Sequence, residues 1–274
     1  MGLCCLLLYS RYCLHYLQYL CLTDCMGDMY YFVSDIHLGL NHLDSVERER
    51  RFAAFLNGLP ANTKAVYMLG DIFDFWYEYT NVVPRGFTRV LGAMAALVDR
   101  GVEVCFFNGN HDIWTYSYLQ NEIGVKLLKQ PYIVEIEGKR FCLGHGDALG
   151  EGDKGYKFLR SVFYNRFLQI LFSGIHPRWA FKLAHSWSRH NRLSRDISGE
   201  FKGENERIVK FAEDYNANLL PNKKVDYFIF GHYHYCTDYK LKNGGELFIM
   251  GEWIHTFDYL SYSGGRRPQR EFYL

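Results

Sequence analysis

The chain has 274 residues, with 31 Lys+Arg against 30 Asp+Glu and a formal net charge of +1. That length suffices for one large α/β domain or two small ones, and 49% hydrophobic with 22% charged residues excludes a globally disordered chain. The near-neutral balance excludes a generally basic nucleic-acid coat, and 25 Gly with 6 Pro exclude collagen-like and Pro-rich repeats.

Residues 1–28 differ from everything after them and are read as an N-terminal extension, rich in Leu, Cys and Tyr. Arg11, His15 and Gln18 interrupt the roughly 20-residue apolar run that a membrane span requires. No basic start or small-residue cleavage site marks a secretory signal. Gly2, Cys4 and Cys5 hint at acylation, but Leu6 stands where a myristoylation signal wants Ser or Thr. A mis-assigned start, with Met26 or Met29 opening the first strand, is preferred to an interfacial helix. Five of the eight cysteines lie in this extension and no CxxC pair occurs, which predicts a reducing compartment rather than a disulfide framework.

From Met29 the pattern is regular. The apolar, aromatic run 30–34 predicts a buried strand ending at Asp35. The spacing over 45–57 predicts an amphipathic helix with Ser45 as N-cap and Arg48 to Arg51 on its wet face. A second strand is predicted over 65–69, a helix over 86–100 closed by Gly101, and a third strand over 102–107. Residues 132–145 read as a hairpin turning at Gly138-Lys139, 225–230 as a strand, and 235–250 as a last hairpin around Asn243-Gly244-Gly245. Strands alternating with helices, followed by hairpins, predict an α/β sandwich.

Five of these strands end in metal-type side chains: Asp35-Ile36-His37, Asp71-Ile72-Phe73-Asp74, Asn110-His111-Asp112, His145-Gly146-Asp147 and His232-Tyr233-His234. Sites in α/β sheets form beyond the carboxyl ends of strands. Asp, Asn and Gly also favour ordinary turns, so any one cluster could be turn chemistry; five together are hard to explain that way. Imidazole and carboxylate without thiolate favour Mn, Fe or catalytic Zn over a structural zinc. The ligands are too many for one ion. Two ions about 3.5–4 Å apart, sharing one carboxylate, would use them.

The ordered set DxH, GDxFD, GNHD, GH and GHxH resembles the calcineurin-like metallophosphoesterase family over nearly all of residues 30–256. The resemblance implies a four-layer α/β/β/α sandwich over 29–274 with a dinuclear site. It implies that Asp35, His37 and His234 hold one metal, that Asp71 bridges, and that Asn110, His145 and His232 hold the other. His111 is expected to contact phosphate and protonate the leaving group. Asp74 and Asp112 would orient ligands or, equally, serve as strand-end turn residues.

The insert between His145 and His232 bears on the substrate. Residues 154–195 contain nine Lys/Arg and no Asp or Glu, interleaved with aromatic and aliphatic residues nearly all round two predicted helices, 154–172 and 178–190. That mixture suits an anionic lipid surface or an acyl pocket beside phosphate. A cap packed on the core with a solvated basic face, or a platform for single-stranded nucleic acid, would show the same composition.

More narrowly, YFVSDIHLG, GDIFDFW, GNHD and HGD with Asp153 and Tyr156 resemble the UDP-2,3-diacylglucosamine pyrophosphatases of lipid A biosynthesis. That resemblance implies a helical cap over about 153–222 and cleavage of the pyrophosphate to 2,3-diacylglucosamine 1-phosphate and UMP. It also implies Mn2+ as the metal pair and a peripheral place on the cytoplasmic face of the bacterial inner membrane. The expected partners are a lipid-linked nucleotide and an anionic membrane surface, with no nucleic acid and a monomeric chain. Asp153 and Tyr156 would lie near glucosamine and phosphate, and Ser188, Arg192 and Arg195 would serve the cap. His111 departs from the Arg of well-known members. A soluble nucleotide pyrophosphatase, another phosphodiesterase, a nuclease and a non-catalytic scaffold of the same fold remain the alternatives.

Overall fold

The computed structural model describes residues 27–40, 44–152, 154–194 and 201–274, excluding the side chains of 185 and 187–194. Its elements in the first half are β1 (Met29–Val33), α1 (Ser45–Gly58), β2 (Thr63–Met68), α2 (Thr88–Asp99), β3 (Glu103–Phe107), α3 (Tyr118–Asn121) and β4 (Lys126–Leu128). The hairpin β5 (Tyr132–Ile136) and β6 (Lys139–Gly144) follows, then α4 (Lys154–Tyr164), α5 (Arg166–Ser173), α6 (Pro177–Ser194) and α7 (Arg207–Ala217). The chain closes with β7 (Tyr227–Phe230), β8 (Thr237–Lys240), β9 (Glu246–Ile249), β10 (Asp258–Tyr262) and β11 (Gln269–Phe272).

Strand alternation sets the layers. On β1, Tyr31 and Val33 face α1 and α2, packing with Phe52, Phe55, Leu56, Val90 and Met94. Phe32 faces the other way, stacked between Tyr67 of β2 and Phe141 of β6 at centroid distances of 5.2 and 5.7 Å. The first sheet runs β11-β10-β1-β2-β3-β4 and the second β5-β6-β7-β9-β8. The far face of the second sheet, with Phe228, Phe230, Leu247 and Ile249, is covered by Ile208, Val209 and Ala212 of α7. Helix, sheet, sheet and helix thus enclose three apolar layers, the predicted four-layer sandwich.

Several local expectations differ from what forms. Helix α1 is capped by Asp44, whose carboxylate accepts from Glu47 N at 3.0 Å, because Ser45 Oγ is engaged by Gly39 N. Arg48 is buried, not on the wet face. The β5–β6 turn falls on Glu137-Gly138, both at positive φ, and Lys139 already pairs with Ile136. Such a pair of left-handed residues matches the right-handed twist of a two-residue hairpin. Helix α7, inside the expected cap span of 153–222, belongs instead to the sandwich, because its apolar face is buried on the second sheet. The cap helices are α4, α5 and α6. They dock on the core through Phe75, Tyr77 and Trp114, whose rings lie 5.0 Å from Phe181, Phe172 and Phe172 respectively.

Candidate metal centre

Strands β1, β2 and β3 are parallel, and so are β6 and β7 in the other sheet. Their carboxyl ends meet at one rim, and all five predicted clusters leave from there. The backbone is bent sharply for the purpose. Asp35, His37, Asp71, His232 and His234 all have φ between 50 and 72°. Left-handed conformations cost a non-glycine residue roughly 1–2 kcal/mol, and such outliers concentrate where geometry serves a site.

Close backbone approach completes the rim. A Cβ on Gly109 would stand 2.1 Å from Asp71 Oδ1, and one on Gly231 would stand 1.9 Å from Ser34 Oγ and 2.5 Å from Asp35 Oδ2. Both positions therefore demand glycine. His232 N donates to Asp35 Oδ2 at 3.0 Å, which ties the two sheets together at this rim, and His111 N donates to Asp71 Oδ1 at 2.8 Å, which ties the β2 and β3 ends of the first sheet.

The remaining carboxylate oxygens point inward. Asp35 Oδ1 is buried without a hydrogen bond, and faces the Nε2 atoms of His234 at 3.2 Å and His37 at 3.7 Å. Asp71 Oδ2 stands 3.9 Å from His37 Nε2 and 3.4 Å from His145 Nε2. His145 Nε2 is also 3.2 Å from Asn110 Oδ1, and its ring lies 5.1 Å from that of His232. Asp71 therefore sits between one group, Asp35, His37 and His234, and another, Asn110, His145 and His232. The donor atoms of Asp35, His37, Asp71 and His234 are close enough to grip one cation.

The outer nitrogens fix the tautomers. His145 Nδ1 meets Leu69 O at 2.9 Å, so it carries the proton and leaves Nε2 as the inward lone pair. His37 Nδ1 lies 3.5 Å from Asp74 Oδ1, an arrangement that likewise turns Nε2 inward. An orphaned buried oxygen among inward lone pairs fits a pair of divalent cations.

Charge balance agrees. Burial alone would raise Asp35, but His234 and His145 draw it down to about 2; Asp71 is held well below the usual carboxylate range by His145 and His111, also against burial. Against its own burial, Asp71 raises His145 to about 10, while burial and the neighbouring His145 push His232 down to about 4. Without cations, a proton on His145 balances the acids.

The family profile for calcineurin-like phosphoesterases matches residues 30–236. The chain belongs to that family. Members use a divalent metal pair, and the phosphoesterase described here has the side chains to hold one. Among relatives, it is 40% identical over 253 residues to a UDP-2,3-diacylglucosamine hydrolase of Porphyromonas gingivalis, covering 87% of this chain and 95% of that one. Homologous hydrolases of the same name in Neisseria gonorrhoeae and Neisseria meningitidis are 29% and 27% identical, each match covering 83% of this chain and 90% of the relative.

The other predicted residues fall as follows. His111 lies beside the cluster, its ring 5.0 Å from that of His37 and its Nδ1 3.1 Å from Asp74 O and 3.6 Å from Asp74 Oδ1. Asp112, expected to orient a ligand or serve as a turn residue, accepts with its buried carboxylate the backbone N–H groups of Asp71, Ile72, Phe73 and Gly109, bracing the two loops, while Asp74 stands beside the His111 imidazole. Tyr156 reaches the rim, its ring 6.4 Å from that of His232. Asp153 and Arg195 lie outside the described residues; Ser188 and Arg192 are on α6 with side chains outside the description. Asp147 belongs to the strand-end cluster with His145 but carries no individual assignment from the sequence. Its carboxylate is buried and accepts from Tyr156 and Arg160 of the cap.

Proposed function

We propose that this chain hydrolyses the pyrophosphate bond of UDP-2,3-diacylglucosamine, releasing UMP and 2,3-diacylglucosamine 1-phosphate with two Mn2+ ions, as a step of lipid A biosynthesis. The reading rests on a buried carboxylate–imidazole cluster beneath a cap that leaves Phe158, Phe167 and Trp179 in solvent. The relatives' shared name supports the substrate. Asp35, His37 and His234 would hold one ion, Asn110, His145 and His232 the other, with Asp71 shared. When bound, the ions supply Lewis acidity toward water and phosphoryl oxygens.

The chain's own residues do the rest. Asn110 places its amide nitrogen to donate to a phosphoryl oxygen as charge builds. His111, its Nδ1–H held by the Asp74 carbonyl, would act from Nε2 as the imidazolium, donating a hydrogen bond or proton to the departing oxygen. Arg192 and Arg195 would neutralise the second phosphate, for which a guanidinium fork is suited.

The cap supplies affinity for the lipid. Phe158, Phe167 and Trp179 are 71, 67 and 60% exposed, and Ile170, Leu171 and Leu183 are exposed beside them. With Lys154, Arg178 and Lys182 on the same helices, this face suits acyl chains and an anionic bilayer. Each buried CH2 is worth about 0.8 kcal/mol. Among the described residues, no helix is long and apolar enough to cross a membrane. The reading places the chain as a peripheral monomer on the cytoplasmic face of the inner membrane. UMP release from UDP-2,3-diacylglucosamine with Mn2+, abolished by chelator, is the expected result. Turnover of soluble phosphodiesters with none of the lipid substrate would contradict it.

A further inference from the structure

Three of the loops that carry metal-type side chains continue directly into contacts with the cap. Tyr77, after Asp71 and Asp74, donates its hydroxyl to Gln169 O of α5 at 2.8 Å. Trp114, after His111, donates Nε1–H to Phe163 O of α4 at 3.0 Å. Asp147, after His145, accepts from the Tyr156 hydroxyl and from Arg160 Nε, each at 2.8 Å, and both residues are on α4. The first two are neutral bonds within an aromatic cluster. The third is ionic, and its carboxylate is 1% exposed. Gln130 Nε2, from the β4–β5 connection, donates to the other carboxylate oxygen.

We infer that Asp147 is a positioning residue for the cap: through Tyr156 and Arg160 it sets the register of α4 over the loop that carries His145. Tyr156 and Arg160 are four residues apart and so share one face of the helix. Both converge on Asp147 Oδ2, which fixes the rotation of α4 as well as its distance. A one-residue rotation would carry both donors away from a carboxylate that burial leaves with few other partners. Charge-assisted bonds of this kind are short and directional. The consequence is the placing of the Tyr156 ring beside His232 and of the exposed cap face relative to the metal-type cluster. The catalytic consequence rests on the function proposed above; the clasp itself does not.

The test uses the full chain with Mn2+ and the variants Arg160→Met, Asp147→Asn and the pair together. Amide exchange over α4 is expected to rise about tenfold in each single variant, the scale of one lost charge-assisted bond. KM for UDP-2,3-diacylglucosamine is expected to rise about tenfold, while Arg160→Met keeps its turnover of bis(p-nitrophenyl) phosphate within about twofold. The double variant is no worse than the worse single one, as for two ends of one contact. Arg160→Lys restores part of the loss.

Unchanged exchange over α4, additive losses, or equal losses on both substrates would each overturn the inference. A wild-type chain that releases no UMP overturns the substrate reading instead, and the exchange measurement then decides the clasp alone. If Asp147→Asn does not fold, Arg160→Met and its partial rescue by Arg160→Lys carry the comparison, with exchange over α4 as the readout.

Discussion

At the scale of single residues, the site is built by conformations that side chains normally avoid. Asp35, His37, Asp71, His232 and His234 take left-handed backbone angles, and Gly109 and Gly231 leave no room for a Cβ. What holds this arrangement is opposite charge. Asp71→Ala removes the carboxylate that faces both histidine groups, so it is expected to abolish phosphoester turnover, at least 1000-fold on the scale of a lost electrostatic catalyst, with an unchanged circular dichroism spectrum. Undiminished turnover would remove Asp71 from the shared position.

The metal-free protein has its own pH signature. His145 is raised to about 10 against burial, chiefly by Asp71, so its contribution to stability is full below its ordinary value near 6.5 and lost as pH rises through about 10. Asp35 and Asp71 are depressed, so theirs is present above the usual carboxylate value and lost as pH falls below it. The chelated protein is therefore expected to lose Tm steadily from pH 6.5 to 10, and the Mn2+-loaded protein to lose less, because cations replace the proton on His145. Parallel pH curves for the two forms would show that no exchange of proton for metal occurs.

At the scale of elements, two strands with opposite faces do most of the positioning. Phe32 of β1 has no exposed surface and stacks on rings from both sheets, so it fixes the distance between the β1 end, with Asp35, and the β6 end, with His145. Phe32→Ala is expected to cost about 3–5 kcal/mol in urea unfolding. A loss under about 1 kcal/mol would mean that the inter-sheet layer is not packed as described.

On the proposed function, the cap helices act through their outer face. Replacing Phe167 and Trp179 together by Glu is expected to weaken sedimentation with phosphatidylglycerol vesicles about tenfold or more, since two exposed aromatic side chains lose their burial in the bilayer surface. Arg192 and Arg195 changed to Gln are expected to raise KM several-fold for the lipid substrate and leave a small chromogenic phosphodiester unaffected. Equal effects on the two substrates would take the cap out of recognition.

At the scale of the whole molecule, the parts of the fold most legible in the sequence were those that carry the chemistry. Strands β1, β2, β3, β6 and β7 are each a short apolar run leading to Asp, Asn or His, and composition marks both features directly. Strand β4 is three residues long and escaped notice, and β10 and β11 extend past the last motif with no ligand to flag them. Long-range pairing set other details. Arg48 is spaced like a surface residue and is buried, and Asp112, next to His111 in sequence, turns to four backbone N–H groups in two loops. The link from Asp147 to α4 joins residues 9 and 13 positions apart across a loop, which no periodicity reveals.

All of this depends on six side chains from four strand ends standing in two groups around Asp71. Metal analysis of the purified chain after loading with Mn2+ and removal of excess measures that directly. Two ions per chain are expected, both lost when Asp71 is replaced by Ala or held far more weakly. A single ion, or two that Asp71→Ala leaves in place with unchanged affinity, would contradict it.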